Sequence, residues 1–104
     1  MLSIDDVIKT LQKELPGLIA RYGVKEIAIF GSYAKGKQKK KSDIDVLVKL
    51  KKPLGFGFIE LADRLEEILG HKVDLATFDC YKRSLHNPRY KHIAEDVKNS
   101  LIYV

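Results

Sequence analysis

Near the start of the chain, Val7, Ile8, Leu11 and Leu15 recur at helical spacing and share one face. Ser3 followed by Asp6 opens that run as a capping box with Asp in place of the usual Glu. The pattern predicts a helix over 4–15, interrupted by Pro16-Gly17. Leu18, Ile19 and Tyr22 then suggest one more helical piece, ended by Gly23. From Lys25 to Phe30 the pattern changes, with Ile27, Ala28, Ile29 and Phe30 consecutive, as in a short strand buried on both faces. A second strand is expected from Asp43 to Leu50, stopped by Lys51, Lys52 and Pro53. Phe58, Leu61, Ala62, Leu65, Ile68 and Leu69 return to helical spacing, and Gly70 caps that helix. Lys72 to Phe78 reads as the third strand. Asn87-Pro88 reads as the N-cap and first residue of a last helix, in which Ile93, Val97 and Leu101 recur every fourth position. The order is helix, strand, strand, helix, strand, helix. The class is therefore α/β or α+β, with a small mixed sheet of about three to four strands flanked by helices.

Composition changes this picture little. A chain of 104 residues is expected to be one domain, 1–104, with a core that needs no staples. The single cysteine, Cys80, rules out an internal disulfide. No signal-peptide pattern opens the chain and no apolar run approaches the roughly 20 residues of a membrane span, so the expected location is the cytoplasm and no membrane partner is expected. The net charge of +5 is compatible with nucleic acid, nucleotides or an acidic protein, and separates none of them. The basic stretch Lys37 to Lys41 reads as a solvated loop.

Chemistry concentrates in GSYAKGKQKKKSDIDVLV, residues 31–48. Gly31 follows a buried strand and Ser32 caps the turn Tyr33-Ala34-Lys35, so free backbone N–H groups converge on an anion site. Glycine admits a phosphate closely, and the Ser32 hydroxyl donates a further hydrogen bond. Strand alternation puts Asp43 and Asp45 on one side, about 7 Å apart. Carboxylates so close repel unless a cation lies between them, and hard oxygen ligands suit magnesium. A third carboxylate, Asp74, lies between the apolar Val73 and Leu75, where a charge is costly unless paired, exposed at an edge or ligated. If the third strand lies beside the second, Asp74 joins the pair. Three aspartates with two magnesium ions beside a phosphate-holding turn make a site for phosphoryl or nucleotidyl transfer.

GSYAKG followed by SDIDVLV, with ten residues between Ser32 and Asp43, resembles the GS-x10-DxD signature of the DNA polymerase β-like nucleotidyltransferase superfamily. The match is most like its minimal members, the short MNT-domain proteins. FGSYAKG, SDIDVLV, LEEILGHKVDLAT and IAEDVKNSLIYV follow the family's usual order, so the resemblance spans nearly the whole chain.

The resemblance implies a nucleotidyltransferase fold. It also implies that Gly31 and Ser32 hold the triphosphate of ATP. Asp43 and Asp45 would ligate two magnesium ions, and Asp74 would complete the metal site and help activate the acceptor hydroxyl. Lys35 stands where the family more often has arginine, so its phosphate contact would be a point charge rather than a bidentate fork. Minimal members are commonly paired with a helical HEPN-domain ribonuclease toxin. The expected function is then an antitoxin that transfers AMP from ATP to a tyrosine of that toxin. The alternative is an antitoxin that acts by binding alone, and a basic nucleic-acid-binding module is a third reading. Nucleic acid is not the expected partner, whereas self-association is compatible with a domain this small. His71, His86, His92 and Cys80 lack metal-site spacing and read as surface or structural residues. Tyr33, Tyr81, Tyr90 and Tyr103 read mainly as packing residues, and the apolar Leu101 to Val104 as core packing rather than a docking tail.

Overall fold

The computed structural model describes residues 3–34, 43–86 and 101–104. In chain order its elements are α1 (Ile4–Tyr22), β1 (Val24–Phe30), α2 (Gly31–Ala34), β2 (Ile44–Leu50), α3 (Gly57–Leu69), β3 (Val73–Thr77), α4 (Phe78–His86) and β4 (Ile102–Tyr103). The strands form one sheet in the order β3-β2-β1-β4. β1 runs antiparallel to both β2 and β4, whereas β2 and β3 are parallel and joined through α3. The expected mixed sheet flanked by helices is what forms.

α1 begins as its sequence dictates. The Ser3 hydroxyl accepts the Asp6 N–H and the Asp6 carboxylate accepts the Ser3 N–H, each at 3.2 Å. It does not break at Pro16, however, and runs unbroken to Tyr22. Pro16 is exposed and removes one backbone hydrogen bond, a cost of about 3 kcal/mol. Leu18 and Tyr22 stay in register with Val7 and Leu11 and are buried, and such side chains contribute about 1.5–3 kcal/mol each. Packing therefore outweighs the proline. Gly23 ends the helix in the left-handed conformation, φ 69°, and donates its N–H to the Ile19 carbonyl at 3.0 Å.

Strand alternation sorts the core into two layers. On one face Ile27, Ile29, Ile44, Val46 and Val48 pack with Val7, Leu11 and Leu18 of α1 and Leu61, Leu65 and Leu69 of α3. On the other, Ala28 and Leu47 lie under Phe78, with Phe30, Ala76 and Leu101 around them. Ile27, Ala28 and Ile29 are all buried, so the centre of β1 is covered on both sides as expected.

Two further elements depart from the sequence reading. β3 stops at Thr77 rather than Phe78, because the Thr77 hydroxyl accepts the Cys80 N–H at 3.2 Å and so caps α4, a helix the apolar pattern had not revealed. The helix expected from Asn87-Pro88 lies outside the described residues up to position 100. Its expected member Leu101 is not helical. Beyond it β4 pairs with the open edge of β1, Ala28 facing Tyr103 and Ile29 facing Ile102. Val104 donates to the Ile27 carbonyl at 2.9 Å, and Leu101 and Val104 pack against the core. Among the described residues no helix is long and apolar enough to cross a membrane.

Candidate active site

The parallel register of β2 and β3 sets Asp45 directly beside Asp74, on the face opposite the Ile44–Val73 pair. β2 begins at Ile44, whose N–H donates to the Lys72 carbonyl at 3.0 Å, so Asp43 is the exposed residue just ahead of the strand rather than its first member. Asp74 is exposed because β3 is an edge strand, and its neighbours Val73 and Leu75 are half-buried. Edge placement and pairing with Asp45 together answer the cost that the apolar flanks imply. Asp45 is half-buried on an interior strand. Burial above all, then the charges of Asp74 and Asp43 and a hydrogen bond to Asp74, hold its carboxyl up at about 6.

The turn after β1 meets this pair. Gly31 has φ 73°, a left-handed conformation that side chains rarely adopt. A Cβ there would overlap Oδ2 of Asp45 and lie 3.1 Å from its Cγ. Position 31 therefore has to be glycine for the turn and the carboxyl to come this close. The Ser32 side chain and Lys35 fall outside the described residues, as does the Lys37 to Lys41 loop.

One pair at the site escaped the sequence reading. Tyr33 is fully buried, with its hydroxyl 3.4 Å from His71 Nε2 and the two rings edge-on at 5.8 Å. His71 Nδ1 lies 3.1 Å from the Lys72 carbonyl. Those partners assign the proton to Nδ1, which donates to the carbonyl, and leave Nε2 to accept the Tyr33 O–H. α2 is thereby tied to the entry of β3, three residues before Asp74. The residues lie 38 positions apart, and no local pattern joins them. Of the other groups, Cys80 is exposed on α4, Tyr103 stacks on Phe78 at 6.1 Å, and the side chains of Tyr81, His86, Tyr90 and His92 lie outside the described residues.

The donor chemistry fits a hard divalent cation. Two carboxyls share one spot and a third is near enough to raise the proton affinity of Asp45, a repulsion that a cation relieves. Among the described residues no three His, Cys, Asp or Glu side chains already stand as a complete ligand set. The structure assembles a pair, with Asp43 beside it.

Known proteins share this arrangement of sequence and fold. The family described as nucleotidyltransferase domain matches residues 5–104. MJ1379 of Methanocaldococcus jannaschii, provisionally named a protein adenylyltransferase, is 40% identical over the full length of both chains. The protein adenylyltransferase MntA of Thermococcus cleftensis is 38% identical and covers 100% of this chain and 98% of its own. Among solved structures, one provisionally described as a minimal nucleotidyltransferase superposes with a TM-score of 0.68 at 27% identity, over 97% of this chain and 95% of that one. A crystal structure of a toxin–antitoxin with AMP-PNP superposes with a TM-score of 0.52 at 34% identity, over 73% of this chain and 57% of that one.

Proposed function

Because the chain belongs to the nucleotidyltransferase-domain family and is an enzyme of that class, we propose that it transfers AMP from ATP to a tyrosine hydroxyl of a HEPN ribonuclease toxin and acts as that toxin's antitoxin. Full-length relatives named as protein adenylyltransferases support a protein acceptor. The toxin–antitoxin structure with AMP-PNP supports an adenine nucleotide and a toxin partner. The single observation that carries the reading is the Asp45–Asp74 pair packed against the Gly31 turn.

In this reading the backbone after β1 receives the triphosphate, with Gly31 presenting no side chain and Ser32 adding its hydroxyl. Lys35 contributes a point charge to the phosphates. Asp43, Asp45 and Asp74 are the residues that would hold magnesium, which when bound would neutralise triphosphate charge and acidify the attacking hydroxyl. Asp74, exposed at the sheet edge, is the carboxylate an incoming acceptor reaches first, and it accepts the hydroxyl proton. The acceptor oxygen bonds to the α-phosphorus in line, the bond from that phosphorus to the bridging oxygen breaks, and pyrophosphate leaves. The Tyr33–His71 hydrogen bond keeps the turn and the β3 carboxylate in one frame.

The test is labelling of a purified HEPN partner with α-labelled ATP and magnesium. Wild-type protein labels it, and the double variant Asp43→Asn with Asp45→Asn does not. Persistent labelling by that variant defeats the reading. Lost labelling with intact neutralisation of the toxin would instead favour an antitoxin that works by binding alone.

A further inference from the structure

The sheet face that carries the carboxylates does not end with them. Along β2 the residues Asp45, Leu47 and Lys49 share that face, which puts Lys49 four residues, or about 13 Å, from Asp45. Beyond Lys49, where β2 leads into the connection to α3 and α4 begins, a cavity of about 300 Å3 opens. Lys49, Lys51, Lys52 and Arg83 line it, Phe78 contributes a buried apolar surface, and Asp79 is the one acidic residue among its described lining residues. Glu26 faces Lys49 across the sheet, yet none of the four cations makes an ion pair among the described residues. Four cations gathered in one cleft repel one another, and an anionic occupant relieves them.

The occupant is constrained by shape and place. A cavity of this volume with an apolar wall holds one or two side chains, whereas a polynucleotide backbone needs a groove that continues past it. It also opens on the same sheet face as Asp45 and Asp74, beyond Leu47, which Phe78 covers. We propose that this cavity is the acceptor-docking site of the enzyme and takes an acidic, partly apolar segment of the protein substrate, at least about four extended residues from the modified hydroxyl because the path has to pass around Phe78. The proposal rests on the protein-transferase reading above, because only a protein acceptor supplies such a segment.

Fluorescence anisotropy on the full chain, without nucleotide or metal, tests it with a labelled decapeptide of glutamate and leucine and, as comparator, a decamer of uridylate. The peptide is expected to bind and to bind about tenfold more weakly to Lys51→Gln with Lys52→Gln, each removed charge weakening a desolvated contact severalfold. Arg83→Gln, on a different element, repeats the loss and guards against misfolding of the first variant. Lys9→Gln with Lys13→Gln, on the exposed side of α1, leaves affinity unchanged. The proposal is overturned if the peptide does not bind, if the α1 variant weakens it equally, or if oligouridylate binds more tightly through the same lysines. Asp45→Asn is expected to retain peptide binding. The docking site and the transfer reaction therefore fail independently, the first in the binding assay and the second in the labelling assay.

Discussion

Asp45→Asn should stabilise the metal-free fold at neutral pH and leave it unchanged in acid. The Asp45 carboxyl titrates at about 6 in the folded chain against an ordinary 3.8, so the folded state binds this proton more tightly than the unfolded one. Its favourable contribution is fully present below about pH 3.8 and is lost as pH rises through about 6. At pH 7.5 the ionised group opposes folding. Two pKa units at about 1.4 kcal/mol each set a ceiling near 3 kcal/mol, and solvent access to this half-buried group reduces that to about 1 kcal/mol. Asparagine keeps the shape, carries no charge, and can donate its amide N–H to the neighbouring Asp74 carboxylate.

The assay is thermal unfolding in a chelator at pH 7.5 and pH 3.5. In a domain of this size about 1 kcal/mol corresponds to a midpoint higher by about 4–8 °C at pH 7.5, with the difference collapsing at pH 3.5. A variant no more stable than wild type at pH 7.5, or one whose gain is the same at both pH values, would refute the argument that burial, with Asp74 and Asp43 beside it, raises the proton affinity of this carboxyl.

Other substitutions probe the supports of the site. Gly31→Ala should destabilise the fold by about 1–3 kcal/mol and abolish AMP transfer, since φ 73° and the overlap with Asp45 must both be relieved; urea unfolding and labelling read the two effects. Tyr33→Phe deletes a long hydrogen bond and should cost about 0.5–1 kcal/mol in the same unfolding assay, while slowing transfer at saturating ATP. Pro16→Ala should raise stability by about 1–3 kcal/mol, because the helix runs through this position; an unchanged midpoint would mean that the chain has already absorbed the ring.

Local signals were legible wherever a residue's neighbours in sequence decide its state. The Ser3–Asp6 cap, the consecutive apolar run of β1 and the Gly70 terminus of α3 all formed as their residues indicate. The same local logic put a break at Pro16 because it prices the lost hydrogen bond and not the burial of Leu18 and Tyr22, two and six residues further along. α4 was hidden because its cap, Thr77, also completes a strand pattern, and β4 because two residues become a strand only when an open edge such as that of β1 is there to pair. At the site, the DxD spacing and the isolated Asp74 were visible, and their meeting depended on the parallel register of β2 and β3. The Tyr33–His71 tie had no signal at all.

The placement of the two carboxyls explains how so small a domain tolerates them. Were both on interior strands, two desolvated charges would face each other with no outlet, a cost of several kcal/mol per ion. Were both at an edge, solvent would screen them and neither would have its proton affinity raised. Setting Asp45 on interior β2 and Asp74 on edge β3 lets burial act on one carboxyl while water reaches the other. The parallel pairing that achieves this requires a crossover, which α3 supplies while its Leu61, Leu65 and Leu69 close the opposite layer of the core. The helix that stabilises the domain therefore also makes possible the parallel pairing that brings the two carboxyls together.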